Sequence, residues 1–140
     1  KVVSTVGDIS VREAAELMRK QHVGNLVVTE QSNGEPVPIG FITDRDIVLS
    51  AIAVGIDADV LTVSDIMTRD LATCSESGDI FSAIQTMRQR HVRRLPVLNS
   101  EGKLSGMLSA DDIFDALSAH MSALTEALTC EQVYEMQTRV

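Results

Sequence analysis

Two stretches of this chain share the form Gly-x-apolar-hydroxyl-x-x-Asp, at residues 40–46 and 106–112. The hydroxyl and the acid are Thr43 and Asp46 in the first copy, and Ser109 and Asp112 in the second. Each copy lies where a predicted strand passes into a predicted helix. A carboxylate in a first helical turn can accept two hydrogen bonds from a vicinal diol such as that of ribose. The helix N-terminus adds a positive potential that suits phosphate.

The same residue types also cap helices, because hydroxyl and acidic side chains satisfy the free N–H groups of a first turn. A single copy of the motif would favour this structural interpretation. Two copies favour a ligand, and both interpretations remain open at this point.

A repeat underlies the two copies. Six residue pairs are identical at an offset of 69, and three more at an offset of 66. The pairs are Met18/Met87, Arg19/Arg88, His22/His91, Val23/Val92, Leu26/Leu95, Val28/Val97, Gly40/Gly106, Asp46/Asp112 and Ile47/Ile113. The order of these identities predicts two similar units, with clefts where the units meet.

Hydrophobic periodicity predicts a β-α-β-β-α order in each unit. In the first unit we expect strands at 2–5, 26–28 and 39–43, a helix from Ser10 to about His22, a loop over 31–38, and a second helix capped by Asp44. In the second we expect strands at 71–74, 95–98 and 103–109, a helix capped by Asp79, and a last helix from Asp111-Asp112 with Ile113, Phe114 and Leu117 facing inward.

The boundaries follow from the repeat. We predict a first unit over 1–58, a second over 59–119, and a C-terminal tail over 120–140 that has a helical pattern. A single helical turn at 63–67 precedes the second unit, and we expect the corresponding turn of the first unit to be missing before residue 1.

The chain resembles a tandem pair of CBS domains, often called a Bateman module. The resemblance covers roughly residues 1–119 and is carried by Asp-Ile-Met-Thr at 65–68, by His-Val-Arg-Arg-Leu-Pro-Val at 91–97, and by the two junction motifs. It implies an α/β (α+β) fold of two β-α-β-β-α repeats packed about a pseudo-twofold axis. It also implies clefts for AMP, ADP, ATP, NAD or S-adenosylmethionine between the repeats, and a flat homodimer.

Carried over residue by residue, the resemblance implies that Asp46 and Asp112 hold ribose beside Thr43 and Ser109. Backbone groups of two strand segments would line the base; these are Ser4-Thr5 and Thr73-Cys74. The two sites differ, since Arg93 and Arg94 stand where the first unit has Gly24 and Asn25. Guanidinium groups suit phosphate recognition. The alternative is a pair of surface arginines bonded to nearby carboxylates.

Composition excludes several classes of function. A formal charge of −8 disfavours binding to a nucleic-acid backbone, and no apolar run reaches the roughly 18 residues of a membrane span. The two cysteines, Cys74 and Cys130, are far apart, which indicates a reducing, cytoplasmic environment. No local pattern indicates a metal site or a catalytic set.

The sequence therefore predicts a non-enzymatic sensor of adenine nucleotides that requires no cofactor, forms a homodimer and signals to an effector protein. A dimerisation scaffold without a ligand and a regulatory fragment of a larger enzyme or transporter are the alternatives. The sequence leaves open which nucleotide binds and whether both clefts fill.

Overall fold

The computed structural model describes residues 2–138. Residues 1, 139 and 140, which the sequence analysis assigned to the first unit and to the tail, lie outside the described residues. The helices and strands follow the order β1 (Ser4–Val6), α1 (Val11–Gln21), β2 (Asn25–Ser32), β3 (Glu35–Thr43), α2 (Asp44–Ile47), α3 (Val63–Ile66), β4 (Cys74–Ser75), α4 (Ile80–Arg90), β5 (Arg94–Leu98), β6 (Leu104–Ser109) and α5 (Ala110–Thr138). A π-helical turn, Val48–Ile52, continues α2.

Two three-stranded sheets share one plan. In each sheet the strands lie side by side in the order in which they follow along the chain. The first two strands are parallel and the last two are antiparallel. The register shifts after Val28 in the first sheet and after Val97 in the second, which are equivalent positions. The predicted α+β fold of two β-α-β-β-α repeats is confirmed at this level.

The connection between β2 and β3 differs from the prediction. Residues 31–38 do not form a loop, because β2 and β3 extend to a two-residue turn at Asn33-Gly34. Both turn residues have positive φ, 53° and 79°, as the favoured hairpin turn requires. Pro36 and Pro38 suggested a loop, but β3 lies at the edge of its sheet, where proline is tolerated.

The first strand of each repeat is shorter than predicted and lies later in the chain. β1 begins at Ser4 rather than at residue 2, and β4 begins at Cys74 rather than at residue 71. Each is an edge strand: β1 pairs only with β2, and β4 only with β5. Few backbone hydrogen bonds are therefore available to lengthen either strand.

The long helices of the two repeats begin and end alike. Ser10 Oγ accepts the N–H of Glu13 at 3.0 Å, and Asp79 Oδ1 accepts that of Ser82 at 2.7 Å. Both helices end at a histidine in the left-handed conformation, His22 and His91, with φ of 56° and 55°. The two histidines, which form one of the repeated pairs, therefore occupy equivalent helix ends.

The core consists of two aliphatic clusters of unequal size. The larger belongs to the first repeat and includes Val11, Leu26 and Ile42, all fully buried. Val63 and Met67, which precede β4, pack into this same cluster. Gly40 lies against Met67, and the backbone of Phe41 pairs with Thr68, so the segment after α3 is held by the first repeat. The smaller cluster centres on Leu95 and Ile113.

Lys103 links the two repeats. Its ammonium donates a 2.8 Å hydrogen bond to the backbone carbonyl of Ser32, near the tip of the first hairpin. The residue is buried, with 9% of its surface exposed. This hydrogen bond connects the β2–β3 hairpin of the first repeat to the β5–β6 hairpin of the second.

The last helix, α5, is a single element of 29 residues that includes most of the predicted tail. Ile113 faces inward as predicted, but Phe114 and Leu117 do not, with 70% and 45% of their surfaces exposed. The prediction was wrong for these two because the second core is too small to cover more than one turn of α5. Within residues 2–138, no helix combines the length and the apolar character needed to cross a bilayer.

Candidate functional site

A cleft with a volume of about 810 Å³ lies where the two repeats meet. The first repeat contributes Thr43 and Asp46, and the second contributes Arg90, Arg93 and Arg94. Its size falls in the range of roughly 300–1,000 Å³ that is usual for small-molecule sites. We call it the first cleft. The predicted ribose residues of one repeat thus face the predicted phosphate residues of the other.

Thr43 and Asp46 form a reciprocal capping box at the start of α2. Asp46 Oδ2 accepts the backbone N–H of Thr43 at 2.9 Å, and Thr43 Oγ1 accepts that of Asp46 at 3.1 Å. Thr43, not Asp44 as predicted, is therefore the N-cap. The box uses one carboxylate oxygen and leaves Asp46 Oδ1 without a hydrogen bond among the described residues. Capping and ligand binding are compatible roles for this side chain.

The four arginines of the first cleft fall into two groups. Arg90 is paired with Asp70, with 3.0 Å between Nη2 and Oδ2, and Arg93 with Asp111, with 3.3 Å between Nη2 and Oδ1. The predicted alternative, a surface ion pair, thus applies to Arg93. The side chains of Arg45 and Arg94 make no hydrogen bond or ion pair within residues 2–138, so their guanidinium groups are available to a ligand.

The charge in the first cleft is opposite in sign to that of the whole chain. Four arginines and three aspartates line it, so their sum is +1, against −8 for the chain. The aspartates are Asp44, Asp46 and Asp70. This local sum favours a negatively charged ligand over a positively charged one.

Apolar side chains form the remaining wall of the first cleft. They are Phe41, Leu71, Ala72, Val92 and Pro96. Leu71 and Ala72 lead directly into Thr73 and Cys74, but the latter two are not among the described residues that line the cleft. Cys74 is half-buried, and burial raises the pKa of its thiol.

A second, smaller cleft of about 300 Å³ contains the other junction motif. Ser109 and Asp112 line it, together with Arg94, Asn25 and Val3. The capping box recurs, since Asp112 Oδ2 accepts the N–H of Ser109 at 3.3 Å and Ser109 Oγ accepts that of Asp112 at 3.0 Å. We call it the second cleft.

Thr5 lies on β1 rather than in a cleft. Its carbonyl accepts a 3.4 Å hydrogen bond from the hydroxyl of Thr29. The structure thus brings Thr43, Asp46, Arg93 and Arg94 together in one cleft and Ser109 and Asp112 with Arg94 in another.

Several charged residues of the first cleft were not predicted as site residues, among them Arg45, Arg90 and Asp70. Arg45 could have been predicted as a site residue from the sequence, because it lies within the first junction motif. Arg90 and Asp70 lie outside both motifs, and only the packing of one repeat on the other brings them to the site.

Known proteins share this architecture. The family model for the CBS domain matches residues 1–52 and 63–119. The CBS domain-containing protein YhcV of Bacillus subtilis is 35% identical over 104 residues, which are 74% of this chain and 70% of that protein. An uncharacterized protein of Methanopyrus kandleri is 34% identical over 101 residues. These are 72% of this chain but only 50% of the Methanopyrus protein.

A solved structure adds information about a ligand. A CBS domain protein from Pyrobaculum aerophilum, complexed with AMP, superposes with a TM-score of 0.68 at 31% identity, covering 79% of this chain and 82% of that one. Both repeats of this chain fall within matched ranges. The chain therefore belongs to the CBS domain family, of which it carries two repeats in tandem.

Proposed function

We propose that this tandem pair is a non-catalytic regulatory module that binds an adenosine-containing nucleotide, AMP above all, in the first cleft. The observation that carries the proposal is the position of Asp46 at the start of a helix, in a cleft that it shares with Arg45 and Arg94. Within residues 2–138, Asp46 Oδ1 and both guanidinium groups make no hydrogen bond. The complex of the Pyrobaculum aerophilum protein with AMP supports this class of ligand.

The ribose would lie against Asp46 and Thr43. Asp46 Oδ1 can accept hydrogen bonds from the 2′- and 3′-hydroxyls, and the O–H of Thr43 remains free to donate. A ligand seated in this way leaves the capping box intact, so it does not destabilise α2.

The phosphate would contact Arg94 and Arg45. Both guanidinium groups are uncommitted, whereas contact with Arg90 or Arg93 would first compete with Asp70 or Asp111. Exposed ion pairs such as that of Arg93 are weak and are readily exchanged for a phosphate.

The adenine ring would pack on the apolar wall at Leu71 and Ala72. We assign the hydrogen bonds to the base edge in the first cleft to the backbone of Thr73-Cys74, which continues this wall. In the second cleft, Ser109 and Asp112 would hold ribose as Thr43 and Asp46 would in the first.

Because the ligand contacts both repeats, occupancy would favour one relative arrangement of the two. An effector protein or further domains of a longer chain would read that arrangement. In this scheme the module is a cytoplasmic homodimer.

A second candidate function is a dimerisation scaffold without a ligand. The observation in its favour is a set of apolar side chains left open at the surface: Ile52 and Phe114 on helices and Val60 in the turn before α3 are each at least 70% exposed. Side chains of this kind are typical of surfaces that pair with another protein.

Thermal unfolding against AMP, ADP, ATP, NAD, S-adenosylmethionine and GMP tests the proposal. A ligand at 100 times its dissociation constant adds about 2.7 kcal/mol to the free energy of unfolding. We expect AMP to stabilise the wild type and to stabilise Asp46→Asn less, because only the second cleft remains intact in that variant. A flat response across the panel, or an undiminished response in Asp46→Asn, would contradict the assignment.

A further inference from the structure

Arg94 lines both clefts. Asn25 and Gly24 do so as well, but Arg94 alone of the three carries a charge. It is exposed at the first position of β5 and has no hydrogen-bond or ion-pair partner within residues 2–138. Its guanidinium group is therefore uncommitted, and it borders two places where a phosphate would sit.

The two clefts depend on Arg94 to different degrees. The first cleft has three further arginines. Among the described residues that line the second cleft, Arg94 is the sole arginine or lysine, and it stands with the carboxylate of Asp112. Without Arg94 the second cleft would present a net negative charge to a phosphate.

We propose that Arg94 is a shared phosphate ligand that couples the two clefts, so that a phosphorylated nucleotide bound in one weakens the binding of a second in the other. The inference rests on the proposed function. A single guanidinium group cannot make its paired hydrogen bonds to phosphates in two different clefts at once. The second ligand to arrive therefore meets a site from which Arg94 has been withdrawn.

The coupling is reciprocal, because the free energy that links two binding events is the same in both directions. The clefts still fill in a definite order. The first cleft retains Arg45 when Arg94 is engaged elsewhere, and so binds more tightly. The second cleft fills last and shows the coupling most clearly.

The repeat itself explains why one arginine serves two sites. Residue 25 is equivalent to residue 94 at the offset of 69, and both begin the middle strand of their sheets. Asn25 pairs with Thr43, and Arg94 pairs with Ser109. An arginine at position 25 would restore a second guanidinium group at the equivalent place.

The coupling can be measured by calorimetric titration of the full chain with AMP. The affinity of the second cleft is taken from the second binding step of the wild type and from Asp46→Ala, in which the first cleft is disabled. We expect the second cleft to bind AMP about ten-fold or more tightly in Asp46→Ala. Adenosine, which has no phosphate, should show equal affinities in the two proteins.

Two variants test whether Arg94 is the cause. Arg94→Gln should weaken AMP in both clefts and abolish the coupling, whereas Arg88→Gln, which removes an exposed arginine of α4 outside both clefts, should change neither. Asn25→Arg, checked for native folding by circular dichroism, should bind two AMP molecules with a coupling factor near one.

Each contrary result has a distinct meaning. Equal AMP affinity of the second cleft in wild type and Asp46→Ala overturns the coupling, as does equal coupling with adenosine. Loss of all binding in Asp46→Ala shows that the second cleft is not a site, which overturns the coupling and leaves the proposed function standing. Failure of the wild type to bind AMP overturns the coupling, and failure to bind any nucleotide of the panel removes the proposed function itself.

Discussion

Asp46 and Thr43 hold each other's backbone N–H groups, at 2.9 Å and 3.1 Å, across the first turn of α2. The same side chain lines the cleft between the repeats, and its other carboxylate oxygen has no hydrogen bond within residues 2–138. In the proposed function one side chain thus starts a helix and offers an acceptor to a ligand, and the two roles can be separated by experiment.

We predict that Asp46→Ala loses both roles. Removal of the cap should lower the free energy of unfolding by about 1 kcal/mol, and AMP should stabilise the variant less than the wild type, because only the second cleft remains to bind it. Asp65→Ala is the matched control, because Asp65 Oδ2 accepts the N–H of Thr62 at 2.9 Å in a third capping box, outside both clefts. Urea unfolding with and without AMP should show a similar stability loss in the control but a full response to AMP. A loss of response in both variants would indicate that binding depends on stability alone.

Equivalent glycines of the two repeats should respond differently to alanine. A Cβ at Gly40 would lie 2.7 Å from Met67 Sδ and 2.9 Å from the carbonyl oxygen of Thr68, whereas one at Gly106 would meet nothing closer than 4.0 Å. Gly40→Ala should destabilise by about 1–3 kcal/mol. Gly106→Ala should be neutral or stabilise by up to about 1 kcal/mol. Urea midpoints give both values, and equal losses would mean that the segment after α3 is not packed on the first repeat.

The N-caps of α1 and α4 predict different pH dependences. Hydrogen bonding from the backbone and the side chain of Ser82 lowers the pKa of Asp79 below the ordinary value of 3.8. The folded state therefore binds this proton less readily than the unfolded state does. The cap stabilises fully above the ordinary pKa, and its contribution disappears as the pH falls through the lowered pKa. Asp79→Ala should thus be less stable than wild type at pH 7 and converge with it in acid.

Ser10→Ala is the control for that experiment, since the Ser10 hydroxyl caps α1 and does not titrate. Its loss of about 1 kcal/mol should be the same at both pH values. The measurement is unfolding at pH 7 and near pH 3. A difference between Asp79→Ala and wild type that stays constant over this range would show that the carboxylate charge does not matter to the cap.

Lys103 provides a test of how the repeats are held together. Lys103→Met keeps the aliphatic stem and loses only the hydrogen bond to Ser32, whose carbonyl lies on an exposed hairpin and can turn to water. We expect this variant to lie within about 1 kcal/mol of wild type. Lys103→Ala also loses the packing of the stem, and should cost about 1–2 kcal/mol more. Equal losses in chemical denaturation would assign the effect to the hydrogen bond instead.

The sequence predicted the elements wherever the local signals agreed. The first long helix ends at His22 as expected, and His91, the equivalent residue at the offset of 69, ends the second. It failed at Asn33-Gly34, where two prolines outweighed a strong turn signal, because proline excludes a central strand but not an edge. It also failed at Phe114 and Leu117, since periodicity identifies an apolar face but not whether anything covers it.

The site was predicted in its residue types but not in its arrangement. The junction motifs are local, so Thr43 and Asp46 could be identified from the chain alone. That Arg93 and Arg94 face the motif of the other repeat depends on how the repeats pack, which has no local signal. Arg90 and Asp70 were missed for the same reason.

Helix α5 is about 43 Å long at 1.5 Å per residue. Its first turn carries Asp111, which is paired with Arg93 of the first cleft, and Asp112, which lines the second. The first turn of α5 thus lies at both clefts, and the helix beyond its first turns is exposed. A tilt of about 5° at its first turn would move its far end by about 4 Å. In the proposed function, a small rearrangement at the ligand would thus become a displacement that an effector protein could read.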